Sequence, residues 1–124
     1  MSSKGFTLLE LMIVTGILLI VISGLLVTFV YCLLLNESNN NLTIAAGDAQ
    51  YVLEELSEMK GTQYSQIDEY IASFNPSRFT NLNNETVAFP NPVYGAYTTE
   101  VTVNVSWAER GRTRDFAIST RLAP

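Results

Sequence analysis

The sequence contains no histidine and a single cysteine. The first absence removes His-based triads and most zinc sites, whose chemistry needs an imidazole as base or ligand. The second removes any intrachain disulfide. Cys32 lies within an apolar run and reads as a small apolar residue that says nothing about redox compartment. Carboxylate chemistry remains, but no paired acids stand in a cleft-forming context, so catalysis by residues such as Glu109 or Asp115 has little behind it. The reading is of a protein that is not an enzyme and holds no cofactor or metal. Cations are scarce as well, seven Lys and Arg against twelve Asp and Glu. No basic stripe interleaved with aromatics occurs, so no nucleic-acid site is evident.

Charge is missing most conspicuously near the N-terminus. After Lys4 the stretch KGFTLLELMIVTGILLIVISGLLVTFVYCLLL carries Glu10 and then no Asp, Glu, Lys or Arg from Leu11 to Leu35. A helix from Phe6 to Leu35 would be about 45 Å long, more than the roughly 30 Å hydrocarbon core of a bilayer. A soluble core helix is the competing reading, but so long an all-round apolar surface needs a larger protein to bury it than 124 residues provide. A cleaved secretory signal is the other, since Lys4 resembles a basic n-region, but the apolar run far exceeds an h-region and no small-x-small site follows it. The stretch is therefore expected to cross a membrane once and stay attached. Lys4 precedes it, while Glu37, Asp48, Glu54 and Glu55 follow it without a nearby cation. The positive-inside rule then places the N-terminus in the cytoplasm and the remainder outside, anchored in the cytoplasmic (inner) membrane.

Beyond the anchor fewer than about 90 residues remain, enough for one small domain. The polar NESNNN at 36–41 marks exit from the bilayer, yet it holds neither Gly nor Pro to stop a helix. Leu42, Ala45, Ala49, Val52, Leu53, Leu56 and Met59 then recur at three- and four-residue spacing, with Asp48, Glu54, Glu55 and Glu58 on other faces, before Lys60-Gly61 gives a C-terminal signal. The pattern predicts one helix from Phe6 to Lys60. Tyr64 to Phe74 reads as a second, short helix with Ser65 and Asp68 at capping-box spacing and Ile67, Tyr70, Ile71 and Phe74 on one side; Asn75-Pro76 ends it. From there to Tyr97 the chain is rich in Asn, Thr and Pro and reads as loops with one short strand at Thr86 to Phe89. The tripeptide Asn84-Glu85-Thr86 has the form of a glycosylation sequon, which an Asn-rich chain also produces by chance. Val101, Val103, Val105 and Trp107 alternate with polar residues, as do Phe116, Ile118, Thr120 and Leu122, giving two half-buried strands about a turn at Ala108 to Arg112 with Gly111 suited to positive φ. The expected class is α+β, a helix packed on a small antiparallel sheet.

Lys4-Gly5-Phe6-Thr7-Leu8-Leu9-Glu10, followed by a long apolar helix, resembles the processing site of type IV pilins and type II secretion pseudopilins. The resemblance implies that a membrane-embedded prepilin peptidase cuts between Gly5 and Phe6 and N-methylates Phe6. Residues 1–5 are then a leader, 6–35 the membrane and assembly helix, 36–61 its amphipathic continuation, and 62–124 a small head. Each part has a physical reason. Gly5 lets an extended backbone enter a narrow protease site; Lys4 supplies the leader charge that holds it on the cytoplasmic side; Thr7 can bond free amides of the first helical turn.

Glu10 is the costly residue, since an acid in an apolar helix carries a penalty of about 2.5–3.5 kcal/mol at the bilayer centre and less near the interface. The resemblance implies that its carboxylate pairs with the N-terminal amine of a neighbouring subunit and fixes axial register during assembly. The alternative is a side chain that snorkels to headgroups. Gly16 and Gly24, beside Thr15 and Ser23, are spots where helices can approach closely, or ordinary membrane-helix composition. Many major pilins have a proline where this chain has Val27, which puts local melting of the helix in question. The ending VTVNVSWAERGRTRDFAISTRLAP resembles the last strands of the minor pilin V and pseudopilin I groups. Arg110, Arg112 and Arg114 are a candidate partner-facing patch, or a solvated turn whose charges deter aggregation.

The implied function is that of a minor pilin or pseudopilin that primes assembly or caps the tip of a type IV pilus or type II secretion pseudopilus. Its partners would be the peptidase, other subunits, the inner-membrane assembly platform and, before assembly, the membrane. The competing reading is a signal-anchored, extracytoplasmic module that binds a ligand or surface and never enters a filament.

Overall fold

A computed structural model describes residues 5–59 and 64–123. The chain forms two compact units, Met1–Glu37 and Ser38–Pro124. In the first, Gly5 to Thr7 are non-helical and α1 (Leu8–Glu58) begins. Thr7 starts it: its Oγ1 accepts the Glu10 N–H at 3.2 Å, and its carbonyl accepts the Leu11 N–H at 3.1 Å. The first contact satisfies one of the amides left free at a helix N-terminus, and the second is the first bond of the helix itself. The apolar side chains of this unit are largely exposed, Phe6 at 80 % and Leu25 at 65 %. The hydroxyls of Thr15, Ser23 and Thr28 donate back to the carbonyls of Leu11, Leu19 and Gly24 at 3.0, 2.7 and 2.9 Å. These three hydroxyl donors are thereby satisfied within the helix itself, as suits side chains that lie in hydrocarbon.

The helix continues without a break through NESNNN, as expected of a sequence without a breaker. In the second unit its remainder packs on a sheet, accompanied by α2 (Tyr64–Ser73), β1 (Thr86–Ala88), β2 (Val93–Tyr94), β3 (Thr99–Glu109) and β4 (Arg112–Leu122). All pairings are antiparallel. β3 is the axis: β1 pairs with its far half, Val87 opposite Val105, β2 with its start, Tyr94 opposite Thr99, and β4 runs along its other edge from Glu109–Arg112 to Thr99–Leu122. The strict alternation of β3 turns Val101, Val103, Val105 and Trp107 inward, all buried, against Ala45, Ala49, Val52 and Leu56 of α1. Ile67, Leu82 and Val87 complete that core, and the half-buried Phe116, Ile118 and Leu122 of β4 line its margin. On the outer face Thr86 meets Ser106 at 2.6 Å and Thr102 meets Ser119 at 2.8 Å, cross-strand hydroxyl pairs that reinforce the register. The architecture is pilin-like α+β: a long N-terminal helix and a small antiparallel sheet.

The structure adjusts several expectations. The helix starts at Leu8, because Thr7 is its cap and Phe6 precedes that cap, and the Lys60-Gly61 stop signal lies outside the described residues. Leu42 is 43 % exposed. The buried seam passes instead through Asn41, Ala45, Ala49, Val52 and Leu56, so a polar residue occupies the place expected for Leu42. Asp68 accepts the Tyr94 hydroxyl, and α2 is described from Tyr64 onward. Of the expected inner side of α2, Ile67 is buried while Tyr70, Ile71 and Phe74 are half-buried. A second short strand, β2, lies between Pro92 and Gly95, too brief to show alternation. The hairpin strands are longer than their apolar positions suggest, because the connection is only Arg110-Gly111, with φ of 51° and 73°. Two consecutive left-handed residues make the type I′ geometry that matches strand twist.

Candidate processing and assembly site

The segment ahead of α1 is short and open. A Cβ placed on Gly5 would meet nothing within 4 Å, so in the free chain the glycine is not required by packing. Phe6 is exposed, and the Gly5–Phe6 bond lies in non-helical backbone just before the Thr7 cap. A peptide bond held in a helix cannot be threaded into an extended protease subsite; this one needs no unwinding. Lys4 lies outside the described residues. Glu10 sits in the first turn of α1, exposed, its backbone amide held by Thr7. The partial positive charge of a helix N-terminus favours an anion there by about 0.3–1 kcal/mol, which offsets part of its cost in an apolar setting. Phe6 and Glu10 are four residues apart. They share the start of the apolar segment, and both are exposed.

The head contains three polar anchors that sequence reasoning did not assign. Glu109, considered above only as a catalytic acid, is 5 % exposed. It accepts the Asn41 amide at 2.8 Å and the Ser38 hydroxyl at 3.2 Å, and Arg114 lies 3.3 Å from its Oε2. The Asn41 amide first, then Ser38 and Arg114, hold its carboxyl below the usual carboxylate range. The signal for this residue was its parity, since Glu109 continues the odd-numbered inward row of β3. Glu55 of α1 receives Arg78 at 2.7 Å and the Tyr70 hydroxyl at 2.9 Å. Chiefly through Arg78, its pKa is lowered, while burial and the Glu55 contact raise that of Tyr70. Arg78 also lies over the rings of Tyr51 and Phe79, at 5.5 and 5.6 Å. Asp48 binds the side-chain amide of Asn81 at 3.2 Å. Nothing in a single sequence pairs residues 23 to 71 positions apart.

The three arginines do not behave alike. Arg114 is drawn to Glu109, Arg112 lies opposite Glu109 in the ladder, and Arg110 occupies the turn. Asp115, the other acid weighed for catalysis, is exposed on β4 opposite Ser106. Among the described residues no three Asp, Glu, His or Cys side chains gather as a metal site.

Residues 1–26 match the family described as the prokaryotic N-terminal methylation motif. No curated protein and no solved structure matches the chain. That motif signifies processing by a prepilin peptidase and assembly with pilin subunits, and it points to a structural subunit rather than an enzyme. It covers Gly5, Phe6 and Glu10 and runs into the one helix apolar enough to cross a membrane among the described residues. The motif at the N-terminus, joined to this α+β architecture, supports a place for the chain in the type IV pilin and pseudopilin family.

Proposed function

We propose that the chain is a minor pilin or pseudopilin, inserted as a single-pass precursor, cut between Gly5 and Phe6, N-methylated on Phe6, and assembled at the tip or in the priming complex of a type IV pilus or type II secretion pseudopilus. One observation carries the reading: an apolar helical segment whose side chains the chain leaves largely exposed, with a carboxylate in its first turn, inside a methylation motif. Such a surface suits two environments in succession, lipid and then a bundle of like helices. The lone carboxylate distinguishes them. Cleavage creates a new amine at Phe6, four residues ahead of the Glu10 carboxyl. An amine from one subunit and a carboxylate from the next attract strongly once water is excluded. Heterologous contacts of this kind do not close and so build a helical filament.

Lys4 keeps the leader on the cytoplasmic side, and the head lies in the periplasm or outside the cell. The inner-membrane assembly platform receives the processed subunit. Arg110, Arg112 and Arg114, on or next to one exposed turn, are the patch offered to a partner subunit. The small head and the form of the β3–β4 ending favour a minor over a major subunit. Val27, where many major pilins have proline, favours a helix that stays intact through this region. Intact-mass and N-terminal analysis of the protein from cells that express a prepilin peptidase tests the reading. The expected product begins at N-methylated Phe6, and a Gly5→Ala variant stays uncut. A chain that retains Met1 while reaching its functional location would favour the signal-anchored binding module instead.

A further inference from the structure

Glu85, ahead of β1, is 5 % exposed and has only half of its carboxyl satisfied. Its Oε2 accepts the Leu82 N–H at 3.0 Å, while its Oε1 is buried and receives no N–H or O–H. The group within hydrogen-bonding reach of it is another acid, Asp48 of α1. Both Asp48 oxygens already accept the Asn81 amide at 3.2 Å. Among the described residues no ion pair joins a cation to either acid, and Arg78, the cation of the same loop, is bound to Glu55 at 2.7 Å. Two carboxylates in contact, with neutral amides as their donors, do not both ionise. Burial disfavours Glu85 as the anion.

We propose that Asp48 and Glu85 share one proton and that this proton latches the 75–85 loop onto α1. In the latched form the Glu85 hydroxyl donates to Asp48, and the orphaned oxygen gains its partner. The loop it holds carries Phe79, edge-on to Tyr51 at 6.0 Å, and the buried Leu82, and it ties to β3 where Ala108 N–H donates to the Asn83 carbonyl at 2.8 Å. Loss of the proton sets two anions against each other beneath it, and the loop lifts with its apolar residues. Burial, then the contact with Asp48, push the Glu85 carboxyl up to about 7. Because the folded pKa is raised above the unfolded value, the stabilisation is complete below the unfolded pKa and is lost as pH rises through about 7. The head thereby responds to the pH of the compartment it faces.

Hydrogen exchange on the full chain in detergent micelles, from pH 5 to 9 and corrected for intrinsic rates, tests this. Protection of amides in 75–88, relative to those of the β3–β4 hairpin, is expected to fall by up to about tenfold per pH unit between about 5 and 7 and then to level. Glu85→Gln puts a permanent N–H donor where the proton sits, so its loop should stay protected with no such slope. Asp48→Asn should also flatten the profile, and it carries the test if Glu85→Gln fails to fold. A flat wild-type profile overturns the proposal, as does an unchanged slope in both variants. Restoration of protection at pH 8 by calcium alone would also overturn it, in favour of a bridging cation.

Discussion

Leu56 is the largest fully buried side chain of the head, 2 % exposed, near the end of α1 among Val52, Ile67 and the inward valines of β3. Leu56→Ala removes three carbons, a transfer loss of about 2.4 kcal/mol at about 0.8 kcal/mol per buried methylene. The wall opposite the deleted group is rigid sheet, which cannot collapse into the space, so a cavity term brings the loss to about 3–4 kcal/mol. A head of this size has a total stability of only about 4–13 kcal/mol. Trp107 is the one tryptophan of the chain and is buried in the same core, so its fluorescence reports unfolding of the head without a label. With a urea slope of about 1.5 kcal/mol/M, the midpoint of the full chain in micelles should fall by about 2 M. Leu25→Ala, in the uncovered segment where the side chain is 65 % exposed, supplies the comparison and should leave that midpoint in place. A Leu56→Ala midpoint within about 0.5 M of wild type would refute the packing of α1 on β3 as the source of the head's stability.

Two further outcomes are expected. Glu10→Ala should leave membrane insertion and Gly5–Phe6 cleavage intact while reducing recovery in sheared filaments or tip complexes by about tenfold or more, the worth of one charge-assisted bond of about 1.5–3 kcal/mol; co-purification at wild-type levels would remove the register role. Gly111→Ala puts a Cβ on a residue held at φ 73°, so the urea midpoint should fall by an amount equivalent to about 1–2 kcal/mol, whereas an unchanged midpoint would mean that the turn does not need its glycine.

What the sequence disclosed depended on the range of the interaction. The membrane segment, the Thr7 cap and the inward row of β3 are periodic or local, so neighbours along the chain reveal them. The strand β2 is Val93-Tyr94, two residues that owe their conformation to pairing with Thr99 and Glu100 rather than to any pattern of their own. The position of Asn41 on the buried seam could not be foreseen from hydropathy, which points to Leu42. It follows from Glu109, which lies 68 residues away and becomes a neighbour only when the hairpin folds. Asp48 and Glu55 looked like solvated charges on the back of an amphipathic helix, and each was claimed by a loop residue with no periodicity to announce it. At the N-terminal segment the motif was legible, because it is a local run of residues that the family match also covers. Their partners were not, since they belong to other molecules.

The bond between Glu109 and the pair Ser38–Asn41 has a consequence for descent with modification. The apolar seam of alanines, valines and leucine tolerates exchange of like for like, and a helix held by it alone could slide by one turn with little loss. The inward acid forbids that, because only one axial setting brings both of its donors to it. Substituting any one of the three strands a buried donor or acceptor. The three positions are therefore bound to change together or to stay, and sequences of this lineage should be alignable by that triplet across the long, freely varying stretch between them.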